Sequence, residues 1–303
     1  MLYPYKFQPI LAERVWGGHE LSRFGKQLPA SKPIGESWEI SDRPEAQSTI
    51  INGPQRGQTL HELIQSAGWQ TIVGSALPVG TRFPLLVKLL DARERLSLQV
   101  HPPAAIAPAL GGEPKTEMWY ILDAAPGAHL IAGLKRGVTR AAFETALAGN
   151  QLEPLIHRFP VQTGEAMFIP SGRIHAIDAG LVIVEIQQNS DTTYRVYDWG
   201  RPREIHVPQS LASIDFTDFE PRPQSFPIRC EHFLVEKQEL TAPRSDRCTG
   251  RSFHILTPIA GTLRIQSGAG AETLAVGEFA LLPAGLGDYT LTGAATFLKV
   301  SLP

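Results

Sequence analysis

Cysteine is nearly absent: Cys230 and Cys248 are the only two among 303 residues. So few exclude a disulfide framework and a cysteine-rich zinc site, and leave His, carboxylate or amide groups to hold any metal. Long apolar runs are missing as well, which excludes a membrane-spanning helix. The opening MLYPYKFQPI has neither the basic start nor the small-residue cleavage site of a secretory signal, so a cytoplasmic protein is the expectation. No charge of one sign dominates: 28 basic and 30 acidic residues give a formal charge of −2. Neither nucleic acid nor an anionic membrane is therefore expected as a partner. Hydrophobic residues at 43% and charged residues at 19% are an ordinary globular composition, and the length fits one or two domains.

What the chain has in quantity is glycine and proline, 27 and 25 residues. They punctuate short apolar runs such as FPLLVKLLD, MWYILDA, LVIVEIQQ and TFLKVSL, the pattern of a strand-rich protein. Helical patterning is confined to residues 58–68, 102–110 and 139–150, the last with Thr139 placed to cap and Gly149 to end it. The fold class read from this is all-β, a sandwich or jelly roll with short helical insertions and no alternating βαβ units. An internal repeat points to duplication: GEAMFIPSG at 164–172 and GEFALLPAG at 277–285 share spacing. Three residues beyond the second glycine the copies differ, with His175 in the first and Asp288 in the second.

The stretch LSLQVHPP at 96–103 interrupts an apolar strand with two polar residues. Alternation sends Gln99 and His101 to one face and Leu98 and Val100 to the other. If that face looks inward both side chains need partners, because an unpaired buried polar group costs about 1 to 3 kcal/mol. A metal would satisfy both. Each has an ordinary alternative too, since a strand His is often hydrogen-bonded structure and a Glu such as Glu117 an edge residue.

The pattern from Gly164 to His175 resembles the second metal motif of cupins, although Ala179 stands where that motif has its later Asn. More specifically, LSLQVHP, KTEMWYIL and FIPSGRIHA, with WGG at 16–18, GESWE at 35–39 and NSDTTYRVYDWGR at 189–201, resemble the type I mannose-6-phosphate isomerases in their short bacterial branch. The resemblance spans about the first 200 residues; from about 225 only a generic cupin likeness remains. It implies tandem cupin barrels: a catalytic domain at 1–222 and a degenerate domain without a metal site at 223–303. It implies Gln99, His101, Glu117 and His175 as ligands of one Zn²⁺ per chain, a set whose donors also suit iron or manganese. The substrate implied is a small sugar phosphate, mannose 6-phosphate exchanging with fructose 6-phosphate through a cis-enediol.

By the same resemblance Arg195 matches a catalytic arginine, and its fixed planar charge suits an oxyanion or phosphate. An ion pair with Asp191 or Asp198 is its structural alternative. Lys115 matches a lysine that binds phosphate or assists proton transfer, and Glu185 matches an acidic residue that burial would tune toward a useful base. Either Glu185 shares a half-exposed face with Ile183 and Gln187, or it is buried. Ser97 matches a pocket serine and is equally readable as a turn or core hydrogen bonder. Lys88 and the tryptophans Trp16 and Trp38 read as a snorkelling lysine and as core. Two competing functions remain at this stage: a cupin Fe(II) dioxygenase and a non-catalytic sugar-binding cupin.

Overall fold

The strand Leu181–Gln188 organises the molecule. It pairs antiparallel with Leu85–Ala92 along its whole length and with Glu117–Ala124 on its other side. Seven of its eight residues are buried, because both faces of the sheet are covered. Val182, Val184 and Ile186 point into one core, whereas Leu181 and Ile183 point into another, as strand alternation requires. In the computed structural model, which describes all 303 residues, this strand lies inside a six-stranded sheet. The order is Ile10–Gly18, Ile34–Ile40, Leu85–Ala92, Leu181–Gln188, Glu117–Ala124, Ala166–Ile169.

A five-stranded sheet faces its inner side, in the order Tyr194–Tyr197, Leu98–Val100, His175–Ile177, His129–Leu134, Ile156–Pro160. Trp119, Ile121, Leu130, Ala132, Ile177 and Ile183 fill the space between the two. The outer side packs against a seven-stranded sheet drawn from residues 228–301. Its long strands His254–Ser267 and Gly287–Ser301 pair along most of their length. One core runs through that contact, joining Val87, Leu89 and Val184 to Val235, Ile255 and Val300. Tyr5 and Leu281 exchange backbone hydrogen bonds of 2.8 and 2.9 Å, so the start of the chain is stitched to the C-terminal sheet. The all-β, cupin-type expectation holds.

Two of the three expected helices form. Leu60–Ala67 begins at Thr59, whose hydroxyl accepts from the Glu62 amide while the Glu62 carboxylate accepts from the Thr59 amide, a reciprocal cap. Arg140–Ala148 starts at Thr139 and stops at Gly149. The third expectation needs correction: residues 102–110 fold as turns with a 3₁₀ turn at Pro108–Leu110. Pro108 lacks the amide that a continuous helix would bond to the residue 104 carbonyl, and its ring crowds that carbonyl. Short helices at Trp69–Ile72 and Val207–Ser213 carry too few turns to show a period.

Candidate metal centre and active-site pocket

The donors converge from opposite sheets. On the five-stranded sheet Gln99 lies directly across from His175 on one side and from Arg195 on the other, so these three share a face. His101 follows the same strand by two residues, and Glu117 opens the facing strand Glu117–Ala124. His101, Glu117 and His175 present ligand atoms that all lie within 4.8 Å of one another. The two imidazole Nε2 atoms stand 3.4 and 3.5 Å from the two Glu117 oxygens. The Gln99 amide is 3.2 Å from His175 Nε2.

Each imidazole is locked by its other nitrogen. His101 Nδ1 lies 2.9 Å from the Thr192 carbonyl and His175 Nδ1 2.8 Å from the Arg173 carbonyl. An Nδ1–H donated to a carbonyl leaves the Nε2 lone pair aimed inward, the usual outer support of a ligating histidine. Burial pushes His101 down to about 3, with the Lys115 charge adding to the effect, and burial lowers His175 as well. Both rings are therefore neutral, as a metal requires. Burial alone would raise Glu117, but the Lys115 charge above all holds it well below the usual carboxylate range.

The fit to a metal is decided by what lacks a partner. His101 Nε2 and Glu117 Oε1 are buried without a hydrogen bond, an arrangement costing about 1 to 3 kcal/mol per group if nothing filled it, and Glu117 Oε2 has only the Lys115 ammonium 2.9 Å away. Two imidazoles, a carboxylate and an amide that can turn its oxygen inward suit a borderline divalent ion such as zinc.

Beside this cluster opens a cavity of about 400 Å³ whose lining includes Gln99, Ser97, Lys115, Glu185 and Arg195. Lys115 Nζ is 2.9 Å from Glu117 Oε2 and 4.0 Å from Glu185 Oε1. Although burial opposes it, Lys115 is held protonated by Glu117, Glu185 and Asp191. Glu185 is 5% exposed and accepts from Trp119 Nε1 at 3.1 Å, so the half-exposed alternative does not hold. Burial and the nearby Glu117 raise its pKa against the pull of Lys115 and Lys88. Arg195 pairs with neither Asp191 nor Asp198; its Nη1 donates to the Glu204 carbonyl at 2.6 Å, and its Nε is buried without an acceptor. A larger groove of about 780 Å³ beside Gly164 and Lys237 contains none of these unpaired buried polar atoms.

Lys88 is the residue that sequence reasoning set aside. It is 3% exposed and does not snorkel. Its Nζ lies 3.6 Å from Glu185, 3.8 Å from Asp191 and 3.9 Å from Glu36, and 4.8 Å above the Trp38 ring. Trp16, Glu36, Asp191, Arg14 and Arg203 also line the cavity. The one available signal was the unbroken apolar setting of Lys88, the same signal that singled out Glu185.

Two facing antiparallel sheets that enclose a His–Glu–His donor set define a cupin with a metal pocket. Residues 5–131 match the family model described as phosphomannose isomerase type I, catalytic domain, and residues 222–302 match that of the mannose-6-phosphate isomerase cupin domain. The chain is 35% identical to the mannose-6-phosphate isomerase ManA of Bacillus subtilis over 96% of each chain. It superposes on a crystal structure of the Bacillus subtilis mannose 6-phosphate isomerase with a TM-score of 0.87 at 32% identity, covering 98% of this chain and 99% of that one. A mannose 6-phosphate isomerase structure bound with zinc and yttrium shares the fold, with a TM-score of 0.76 at 20% identity over 98% of each chain. The chain belongs to the type I phosphomannose isomerases.

Proposed function

We propose that this chain interconverts mannose 6-phosphate and fructose 6-phosphate through a cis-enediol, with zinc held by Gln99, His101, Glu117 and His175. The observation that carries the reading is the unpartnered His101 Nε2 and Glu117 Oε1 within the convergent His101–Glu117–His175 cluster, opening beside a cavity that also holds Glu185, Lys115 and Arg195. Family membership supports the isomerase over the dioxygenase and sugar-binding alternatives.

The reaction moves one hydrogen from C2 to C1 and one hydroxyl proton from O2 to O1. A divalent ion in the donor set supplies charge that favours an oxygen becoming negative. Glu185, whose affinity for a proton is raised by burial, takes the C2 proton and returns it to C1. Lys115, protonated between Glu117 and Glu185, gives its proton to O1 and regains one from O2, and so carries the hydroxyl proton and supplies positive charge without being the C2 base. Arg195, across from Gln99 in the sheet, offers unpaired guanidinium donors to the developing oxyanion. Ser97, 4% exposed in the cavity wall, supplies a hydroxyl to the substrate.

The test is conversion of mannose 6-phosphate by the purified protein before chelation, after it, and after single divalent ions are returned. Activity lost with chelator and restored best by zinc is expected. Turnover that is absent with every ion would refute the isomerase, and full activity in excess chelator would refute the metal.

A further inference from the structure

The segment that leaves the helix Val207–Ser213 and leads to the C-terminal sheet wraps the turn that carries His175. The Asp215 amide donates to the Gly172 carbonyl at 2.8 Å, and the Leu134 amide donates to the Asp218 carbonyl at 3.0 Å. Ile214 anchors the segment in the same core as Leu134 and Ile174. At its centre the Asp218 carboxylate takes both arms of one guanidinium: Arg173 donates through Nε to Oδ2 and through Nη2 to Oδ1, each at 2.7 Å. The remaining nitrogen, Nη1, donates to the Phe168 carbonyl at 2.6 Å. The Arg173 and Asp218 side chains are only 12% and 17% exposed. Gly133 leaves the room this contact needs, since a Cβ there would lie 3.1 Å from Asp218 Oδ2 and 2.9 Å from the Asp218 carbonyl oxygen.

Neither Arg173 nor Asp218 lines the cavity, so neither touches the substrate. What Arg173 offers the metal centre is its carbonyl, which accepts from His175 Nδ1 at 2.8 Å and leaves Nε2 turned toward Glu117. A carbonyl holds a ring at one angle only if its own residue is held. Three guanidinium bonds hold this one, to the strand Ala166–Ile169 on one side and to the connecting segment on the other. A bidentate pair of guanidinium and carboxylate fixes direction as well as distance. The same turn reaches the other histidine, since the Gly172 amide donates to the His101 carbonyl at 2.9 Å. We infer that Asp218, through the Arg173 fork, is a positioning residue for the metal centre: it sets zinc affinity by holding the His175 ring, and the connection to the C-terminal sheet is thereby part of the centre's outer support. This rests on the zinc ligand set proposed above.

Zinc affinity is measured by competition with a chromophoric chelator, and stability separately by denaturant unfolding in excess chelator. Asp218→Ala is expected to weaken zinc binding about tenfold or more, the range for loss of an outer partner of a metal ligand, and to move the visible ligand-field bands of the cobalt(II)-loaded protein. Arg173→Met should do the same, and the double variant should lose no more than either single one, because all three lack the same fork. Lys299→Met breaks a 2.7 Å ion pair with Asp246 of similar exposure in the C-terminal sheet; it is the purely structural comparison and should leave zinc affinity within about twofold. Zinc affinity unchanged in Asp218→Ala, or lowered equally in Lys299→Met, overturns the inference, as does an additive loss in the double variant. If Asp218→Ala does not fold, Arg173→Lys keeps the charge and loses the fork, and unchanged affinity there overturns it equally. A parent protein that binds no zinc refutes the ligand set and the inference with it. Zinc binding that depends on Asp218 in a protein without turnover supports the positioning role and refutes the isomerase alone.

Discussion

Replacing Glu117 by Gln separates two roles that the geometry superimposes on one carboxylate. Glu117 is fully buried, and Lys115, 4% exposed, holds its ammonium 2.9 Å away. Without the Glu117 charge, Lys115 retains Glu185 at 4.0 Å. Removing one partner of a buried pair costs about 3 to 5 kcal/mol. With Glu185 compensating in part, a loss of about 3 kcal/mol is expected in chelator, or about 5 °C in Tm for a chain of this length. Glu117→Gln with Lys115→Met removes both charges and should be more stable than either single variant, the signature of a coupled pair. Zinc then reports the second role: at about 100 times its Kd it should stabilise the unaltered protein by about 2.7 kcal/mol, and both Glu117 variants far less. Denaturant unfolding with and without zinc measures all of this. A single variant as stable as the parent in chelator refutes the ion-pair argument, and an undiminished zinc shift in Glu117→Gln refutes the ligand assignment.

Other positions give independent tests. Lys88→Met removes the ammonium facing Glu36, Glu185 and Asp191; kcat/KM should fall about 10² to 10³-fold, as for loss of a buried electrostatic donor, and a fall under threefold would remove Lys88 from the site. His254, 9% exposed beside Tyr289, is held down to about 4 from its ordinary 6.5 by burial and then by the Lys299 charge. Its folded pKa is the lower one, so the unfolded chain gains the proton first as pH falls. Stability present above pH 6.5 is lost toward pH 4, by about 3 kcal/mol, and His254→Gln should flatten that slope in pH-dependent unfolding. Gly74 has φ +106°, and an added Cβ would lie 2.2 Å from the Arg251 carbonyl oxygen. Gly74→Ala should therefore cost more than about 2 kcal/mol in denaturant unfolding, while a neutral result would show that this contact yields.

Much of the pocket was readable because its signals are local. A spacing of two on LSLQVHPP sets Gln99 and His101 on one face, and the Pro-x-Gly turn of GEAMFIPSG delivers His175 to the neighbouring strand of the same sheet. Lys88 was not readable in the same way. Its meaning comes from register: Lys88 pairs across the sheet with Glu185, and only that tertiary pairing turns two isolated charges in apolar strands into one buried cluster. The same holds for Glu185, whose burial depends on a sheet covered on both faces. Arg203 and Asp191 sit in loops, where no periodicity marks a direction. Residues 102–110 misled because apolar content alone resembles a helix stripe, while Pro108 removes a backbone donor in the middle of the run.

The duplicated motif shows why a shared sequence pattern does not carry a shared site. In the first copy Gly172 takes a left-handed turn with φ +89°, and His175 enters the sheet fully buried, opposite Gln99. In the second copy Ala284–Leu286 coils into a 3₁₀ turn and the left-handed residue is Gly287, φ +80°. The chain therefore enters its strand displaced along the sequence. Asp288, aligned with His175, faces outward, its side chain 75% exposed and paired with Arg247 at 3.1 Å. The interior it would have faced is filled by Leu256, Leu263, Leu291 and Phe297. The second strand begins at Gly287, one residue before the position aligned with His175, and a one-residue displacement exchanges the two faces of a strand, so the difference between the copies is one of direction as well as side-chain chemistry. An imidazole at position 288 on this backbone would still point to water.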